Sequence, residues 1–151
     1  MSIPIPDSPV ATRFLASPNR GERRGLARPN CLILHYTGMP TGEAALDLLT
    51  DPASEVSAHY FIWEDGRIDQ LVRESERAWH AGASFWKGES DVNSASIGIE
   101  IVNPGDGVSP PYPDRQIVAT IALASDICAR WAIRPERVLA HSEVAPVSVA
   151  A

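Results

Sequence analysis

Residues 93–103 read NSASIGIEIVN, and the centre of this stretch decides the fold. Ile97, Ile99 and Ile101 alternate with Gly98, Glu100 and Val102, the period-two pattern of a strand with one apolar face. The strand is expected over Ser96 to Val102, ended by Asn103-Pro104-Gly105. Glu100 is out of keeping with it. A carboxylate inside an apolar strand is costly unless it is paired or put to use. Two readings stand at this point. One is a salt bridge to an arginine across the sheet. The other is a functional carboxylate whose burial lifts its pKa toward the range of a general base.

Working outward, Cys31 to Tyr36 (CLILHY) is a continuous apolar run, short enough for a buried strand. Residues 56–72, VSAHYFIWEDGRIDQLV, hold two strand-like runs around Asp65-Gly66, a hairpin signal. Arg137 to Ala140 is a further short strand. Thr41 is placed to cap a helix through residues 42–50, GEAALDLLT, which Pro52 stops because the residue before a proline leaves helical geometry. From Asp114, read as an N-cap, the period changes to that of a helix. Ile117, Ile121, Ala124, Ile127, Cys128 and Trp131 are expected on its buried face. Strands and helices alternate with one hairpin, which gives an α/β fold: a mixed central β-sheet flanked by helices. Residues 1–30, rich in Pro, Ser, Asn and Arg, are expected to form an extended arm, and residues 31–151 the domain.

The chain has 151 residues, 44% hydrophobic and 21% charged, which suits one globular domain with a real core. A net charge of −6 gives no support to a nucleic-acid partner. The one basic run, residues 20–28 (RGERRGLAR), is interrupted by Glu22 and reads as a solvated loop. No apolar stretch reaches the roughly 20 residues that span a bilayer. The first residues lack a basic head followed by an apolar block, so a cytoplasmic location is expected. Cys31 and Cys128 sit in apolar surroundings and read as buried free thiols.

Four histidines carry the remaining chemistry. His35 and His141 each close an apolar strand, where loops open clefts and where neutral imidazole can bind a metal. The stretches LILHYTG, VSAHYFIWEDGRIDQLV, AWHAG, NSASIGIEIVN and VLAHSEVAP occur in this order over residues 30–146. In order and spacing they resemble the zinc-dependent N-acetylmuramoyl-L-alanine amidases, which are related to the peptidoglycan recognition proteins. The resemblance implies that His35 and His141 are zinc ligands and that Glu100 takes the proton of the attacking water. It implies a substrate groove at His80 and Trp79, a supporting role for His59 at the sheet core, and bracing of the Glu100 strand by Asn93 and Ser96. Trp86, beside Lys87 and Gly88, and Phe85 are read as further groove residues. The implied substrate is peptidoglycan or a muropeptide, cut between the lactyl group of N-acetylmuramic acid and L-alanine by a chain expected to be a monomer.

The pattern departs from the family at Val147. A lysine and a third zinc ligand, usually an aspartate, are implied downstream of His141, at places held here by Val149 and Ala151. The domain is therefore expected to be truncated at its C-terminus. Two alternatives to the enzyme follow: a muropeptide-binding module without catalysis, or an inactive fragment of the same fold. Glu143 is expected to face solvent or cap the next segment rather than replace the missing ligand.

Overall fold

The alternation seen in the sequence becomes two faces of one sheet. In the computed structural model, which describes residues 2–25, 28–105 and 110–145, eight strands form. They are β1 Arg13–Phe14, β2 Arg20–Glu22, β3 Cys31–Tyr36, β4 Tyr60–Ile62, β5 Ile68–Gln70, β6 Glu76–Ala78, β7 Ser96–Ile101 and β8 Val138–Ala140. Six of them make a mixed sheet in the order β1-β5-β4-β7-β3-β8, and β2 pairs with β6 in a small second sheet. Strand β7 runs parallel to both β3 and β4, and β8 parallel to β3. The hairpin joins β4 to β5 antiparallel around Asp65-Gly66, where Gly66 takes a left-handed φ of 91°.

One sheet face is apolar. Leu32, Tyr60, Ile62, Ile97 and Ile99 pack there against Leu123 and Ile127 of helix α3, Asp114–Trp131. On the other face Phe61 and Val102 pack against Ala45 and Leu49 of helix α1, Gly42–Thr50, whose Thr41 caps Ala44 as expected. Short helices α2 (Val92–Ala95) and α4 (His141–Val144) lie at the ends of β7 and β8.

Helix α3 departs from the expected pattern in two ways. Its N-cap is Pro113, and Asp114 lies inside the first turn, where its charge faces the positive end of the helix dipole. Its buried face is also rotated. Ile117 and Ile121 are 44% and 61% exposed, while Gln116 is buried with Leu123 and Ile127. At 100° per residue the face of Gln116, Leu123 and Ile127 lies about 90° from the one read by hydrophobicity. The cause is polar: the Gln116 amide donates to the carbonyls of Ile62 and Val102, capping two strand ends. Apolar periodicity cannot register a glutamine that is buried for its hydrogen bonds.

The first part of the basic run is not a solvated loop. Arg20–Glu22 form β2, and Arg23 sends its guanidinium inward to the carbonyls of Glu74, Ser94 and Ser96. Burial lowers its pKa to about 10. Within the first 30 residues, β1 also joins the main sheet beside β5. Cys31 is a buried free thiol, and Cys128 is free and half-buried.

Candidate active site

Register brings the candidate residues together. His35 of β3 pairs directly with Glu100 of β7, and Phe61 of β4 pairs with Glu100 from the other side. All three belong to the face that does not meet α3. His141 begins α4 just past the end of β8, two strands from Glu100 in the sheet order. Its Nδ1 lies 3.0 Å from Nδ1 of His35. A cleft of about 200 Å³ opens here, with His35, His80, Glu100 and His141 at its base. Trp79 is on its wall and the exposed apolar side chains Leu48 and Val56 on its rim.

Among the described residues Glu100 has no salt bridge. Its Oε2 is buried and has no hydrogen-bond partner among the described residues. Burial alone raises its pKa to about 8. An orphaned carboxylate oxygen on the strand next to His35 is costly, and sites of this kind are found where a group must accept or hold a proton.

The imidazole pair suits a divalent metal ion. Two nitrogens each about 2.0–2.1 Å from one ion stand roughly 3.0–3.4 Å apart when the angle between them is about 95–110°. Burial and the neighbouring His141 lower the pKa of His35 to about 3, so it is neutral with a free lone pair at neutral pH. Among the described residues, no three His, Cys, Asp or Glu side chains gather into a metal cluster. Val149 and Ala151, the places of the implied lysine and third ligand, lie outside the described residues.

The other expected residues divide. Asn93 does not brace β7. Its Oδ1 accepts the backbone N–H groups of His80 and Ala81 and so fixes the loop that carries His80. Ser96 stands at the start of β7 and bonds His80 instead. His80 lines the cleft, and both its ring nitrogens are occupied, by His35 at 2.9 Å and Ser96 at 3.0 Å. Trp86 is not in the cleft. It packs against the cluster of Cys31, Ile33 and Leu139, lies under Lys87 and Arg137, and lines a separate hollow. Phe85 is exposed and does not line the cleft, its backbone tied to Val144. Glu143 caps α4 by accepting the N–H of Ala140, as expected. The sequence reading missed Tyr36, Thr37 and Ser57 as cleft residues. Tyr36 and Thr37 stand inside the HYTG motif, but nothing in the sequence marks Ser57.

His59 is wholly buried and structural. Its Nδ1 accepts the Gly98 N–H at 3.0 Å, so Nε2 carries the hydrogen and donates it to the Glu76 carbonyl at 2.9 Å. Burial lowers its pKa to about 3. The unfolded chain therefore binds a proton near pH 6.5 that the fold refuses. This stability is complete above pH 6.5 and declines as pH falls toward 3. Thermal unfolding of metal-free protein between pH 7 and pH 4 should show that decline, and His59→Gln should show a shallower one. Equal slopes for the two proteins would remove His59 as a cause.

Gly98 makes room for His80. A Cβ at position 98 would stand 2.6 Å from Cδ2 and Nδ1 of the ring, and the ring cannot move without leaving His35. Gly98→Ala should destabilise the protein by about 1–3 kcal/mol, as overpacking does. Urea unfolding measures this, and a variant as stable as the parent would contradict the close packing.

Known proteins show the same arrangement of chain. A profile of the family N-acetylmuramoyl-L-alanine amidase matches residues 25–150. The N-acetylmuramoyl-L-alanine amidase AmiD of Escherichia coli is 43% identical over 132 residues, which is 79% of this chain and 47% of that protein. The chain thus spans about half the length of AmiD. The structure of an AmpD derivative superposes with a TM-score of 0.78 at 29% identity, covering 98% of this chain and 90% of that one. The complex of E. coli AmiD with the substrate anhydro-N-acetylmuramic acid-L-Ala-D-gamma-Glu-L-Lys gives a TM-score of 0.69 at 38% identity, covering 83% of this chain and 58% of that one. With the sheet, the paired histidines and the buried glutamate already in place, the match over residues 25–150 establishes that the chain belongs to the N-acetylmuramoyl-L-alanine amidase family.

Proposed function

We propose that the protein hydrolyses the amide bond between the lactyl group of N-acetylmuramic acid and L-alanine in an anhydro-muropeptide. The observation that carries this reading is the buried, unpartnered Oε2 of Glu100 on the same sheet face as His35, in a cleft that also holds His141. The substrate named in the AmiD complex supports the choice of muropeptide.

His35 and His141 would hold a zinc ion through their Nδ1 atoms. Such an ion, when bound, lowers the pKa of a coordinated water to about 7 and polarises the carbonyl under attack. Glu100 takes the proton of the attacking water on Oε2. Having taken that proton, it can return it to the leaving amine of alanine. Trp79, Leu48 and Val56 give the cleft an apolar rim that can hold the sugar and the start of the peptide. His59 supports the sheet beneath. No helix of the described residues is long and apolar enough to cross a membrane. The free thiols fit the reducing interior of a cell, and we place the protein there as a monomer whose amidase-like domain takes in strands β1 and β2 as well as the residues from 31 onward.

Chromatography of an anhydro-muropeptide incubated with protein and zinc tests the reaction. Release of free stem peptide, stopped by a chelator, is the expected result. Saturable binding without release would make the protein a binding module. Neither binding nor release would leave the family fold without this function.

A further inference from the structure

His80 connects the buried interior to His35 through a chain of hydrogen bonds whose direction can be worked out atom by atom. The chain starts at a group that can only accept. The Val92 carbonyl lies 2.6 Å from Ser96 Oγ and takes the hydroxyl hydrogen. Ser96 Oγ then has no hydrogen left for His80, whose Nε2 lies 3.0 Å away, so His80 Nε2 must be the donor. His80 is buried against Gly98, and among the described residues its ring nitrogens meet only Ser96 and His35, with no carboxylate to hold a second ring proton. Its Nδ1 is therefore a bare acceptor. That nitrogen lies 2.9 Å from His35 Nε2, which must supply the hydrogen. A neutral His35 protonated on Nε2 has its lone pair on Nδ1, the atom that faces His141 at 3.0 Å.

We infer that His80 is a positioning residue, which with Ser96 and the Val92 carbonyl fixes His35 in the Nε2–H tautomer and aims its Nδ1 lone pair at the ion shared with His141. The backbone commits the tautomer. Asn93 reinforces it by holding the His80 backbone, and the absent side chain of Gly98 lets the ring lie flat enough on β7 to reach both partners. Metal-binding histidines are commonly oriented through their second nitrogen, usually by a carboxylate or a carbonyl. Here a neutral imidazole does it, which orients His35 without adding negative charge to the site. This inference rests on the proposed metal-binding role of His35.

Two measurements test it. The first is long-range ¹H–¹⁵N correlation NMR on metal-free protein, which reads each imidazole tautomer directly and needs neither metal nor activity. Nε2–H patterns for both His35 and His80 are expected. An Nδ1–H pattern for His35 would overturn the inference. The second is zinc affinity by chelator competition. His80→Ala should weaken it by about 10–100-fold, the usual cost of losing such a partner. His80→Gln, whose side-chain oxygen can accept from His35, should recover most of the loss. A folded His80→Ala protein with parental affinity, or equal losses in both variants, would also overturn it. If the parent binds no zinc at all, the proposed metal site fails, while the NMR pattern still decides whether His80 sets the tautomer.

Discussion

Glu100→Gln is expected to lower muropeptide hydrolysis by about 10²–10⁴-fold, the usual contribution of a positioned acid–base group, with zinc affinity little changed. The amide keeps the shape of the carboxylate and cannot take a proton from water. The same substitution should stabilise the metal-free protein in alkaline solution. Burial raises the Glu100 pKa from 4.5 to about 8, so the fold binds its proton more tightly than the unfolded chain does. The contribution of Glu100 to stability is thus greatest below pH 4.5, and it declines as pH rises through 4.5 to 8 while the unfolded carboxylate ionises and the folded one resists. At about 1.4 kcal/mol per tenfold difference in proton affinity, the penalty above pH 8 is of the order of a few kcal/mol. Glutamine carries no such penalty. Hydrolysis assays and urea unfolding at pH 6 and pH 9 give both readings. Parental activity in Glu100→Gln would remove it as the base, and identical pH dependence of stability would remove the buried charge.

His35→Ala should abolish measurable zinc binding and reduce hydrolysis to background. One nitrogen, from His141, would remain of the pair whose Nδ1 atoms stand 3.0 Å apart. A ligand that binds only the folded state at 100 times its Kd adds about 2.7 kcal/mol of stability. Zinc should therefore raise the Tm of the parent by several degrees and leave the Tm of His35→Ala unmoved. A variant that keeps the zinc-dependent rise would show that the ion sits elsewhere. His141→Ala should behave alike if the two share one ion.

Much of this site is legible in local pattern. The alternation around Glu100 marks it as a charge on a strand, and register alone then places His35 beside it. The HYTG and AHSEVAP stretches mark His35 and His141 by resemblance. What failed had a common cause. Trp86 reads as a groove aromatic because it stands in a Gly-containing loop, yet that loop folds back on Cys31 and Leu139, far along the sequence. Arg23 reads as solvated because its neighbours are charged, yet four carbonyls from residues 74 and 93–96 surround it. Gln116 has no place in the apolar face read for its helix, yet two strand-end carbonyls take its amide hydrogens.

The sequence by itself determined strands β3, β4, β5, β7 and β8, the hairpin at Asp65-Gly66, the capped helix after Thr41 and the face of β7 that carries Glu100. Each depends on neighbours within a few residues, through backbone sterics and the two-residue and 3.6-residue periods. Only the tertiary structure decided that Glu100 Oε2 lacks a partner among the described residues, that His80 bonds His35 and Ser96, that the Arg23 guanidinium turns inward and that Gln116 is buried. Those outcomes depend on which distant donors and acceptors meet once the sheet has closed. A hydrogen bond between residues 35 and 141, or 23 and 96, leaves no trace in the residues beside either one.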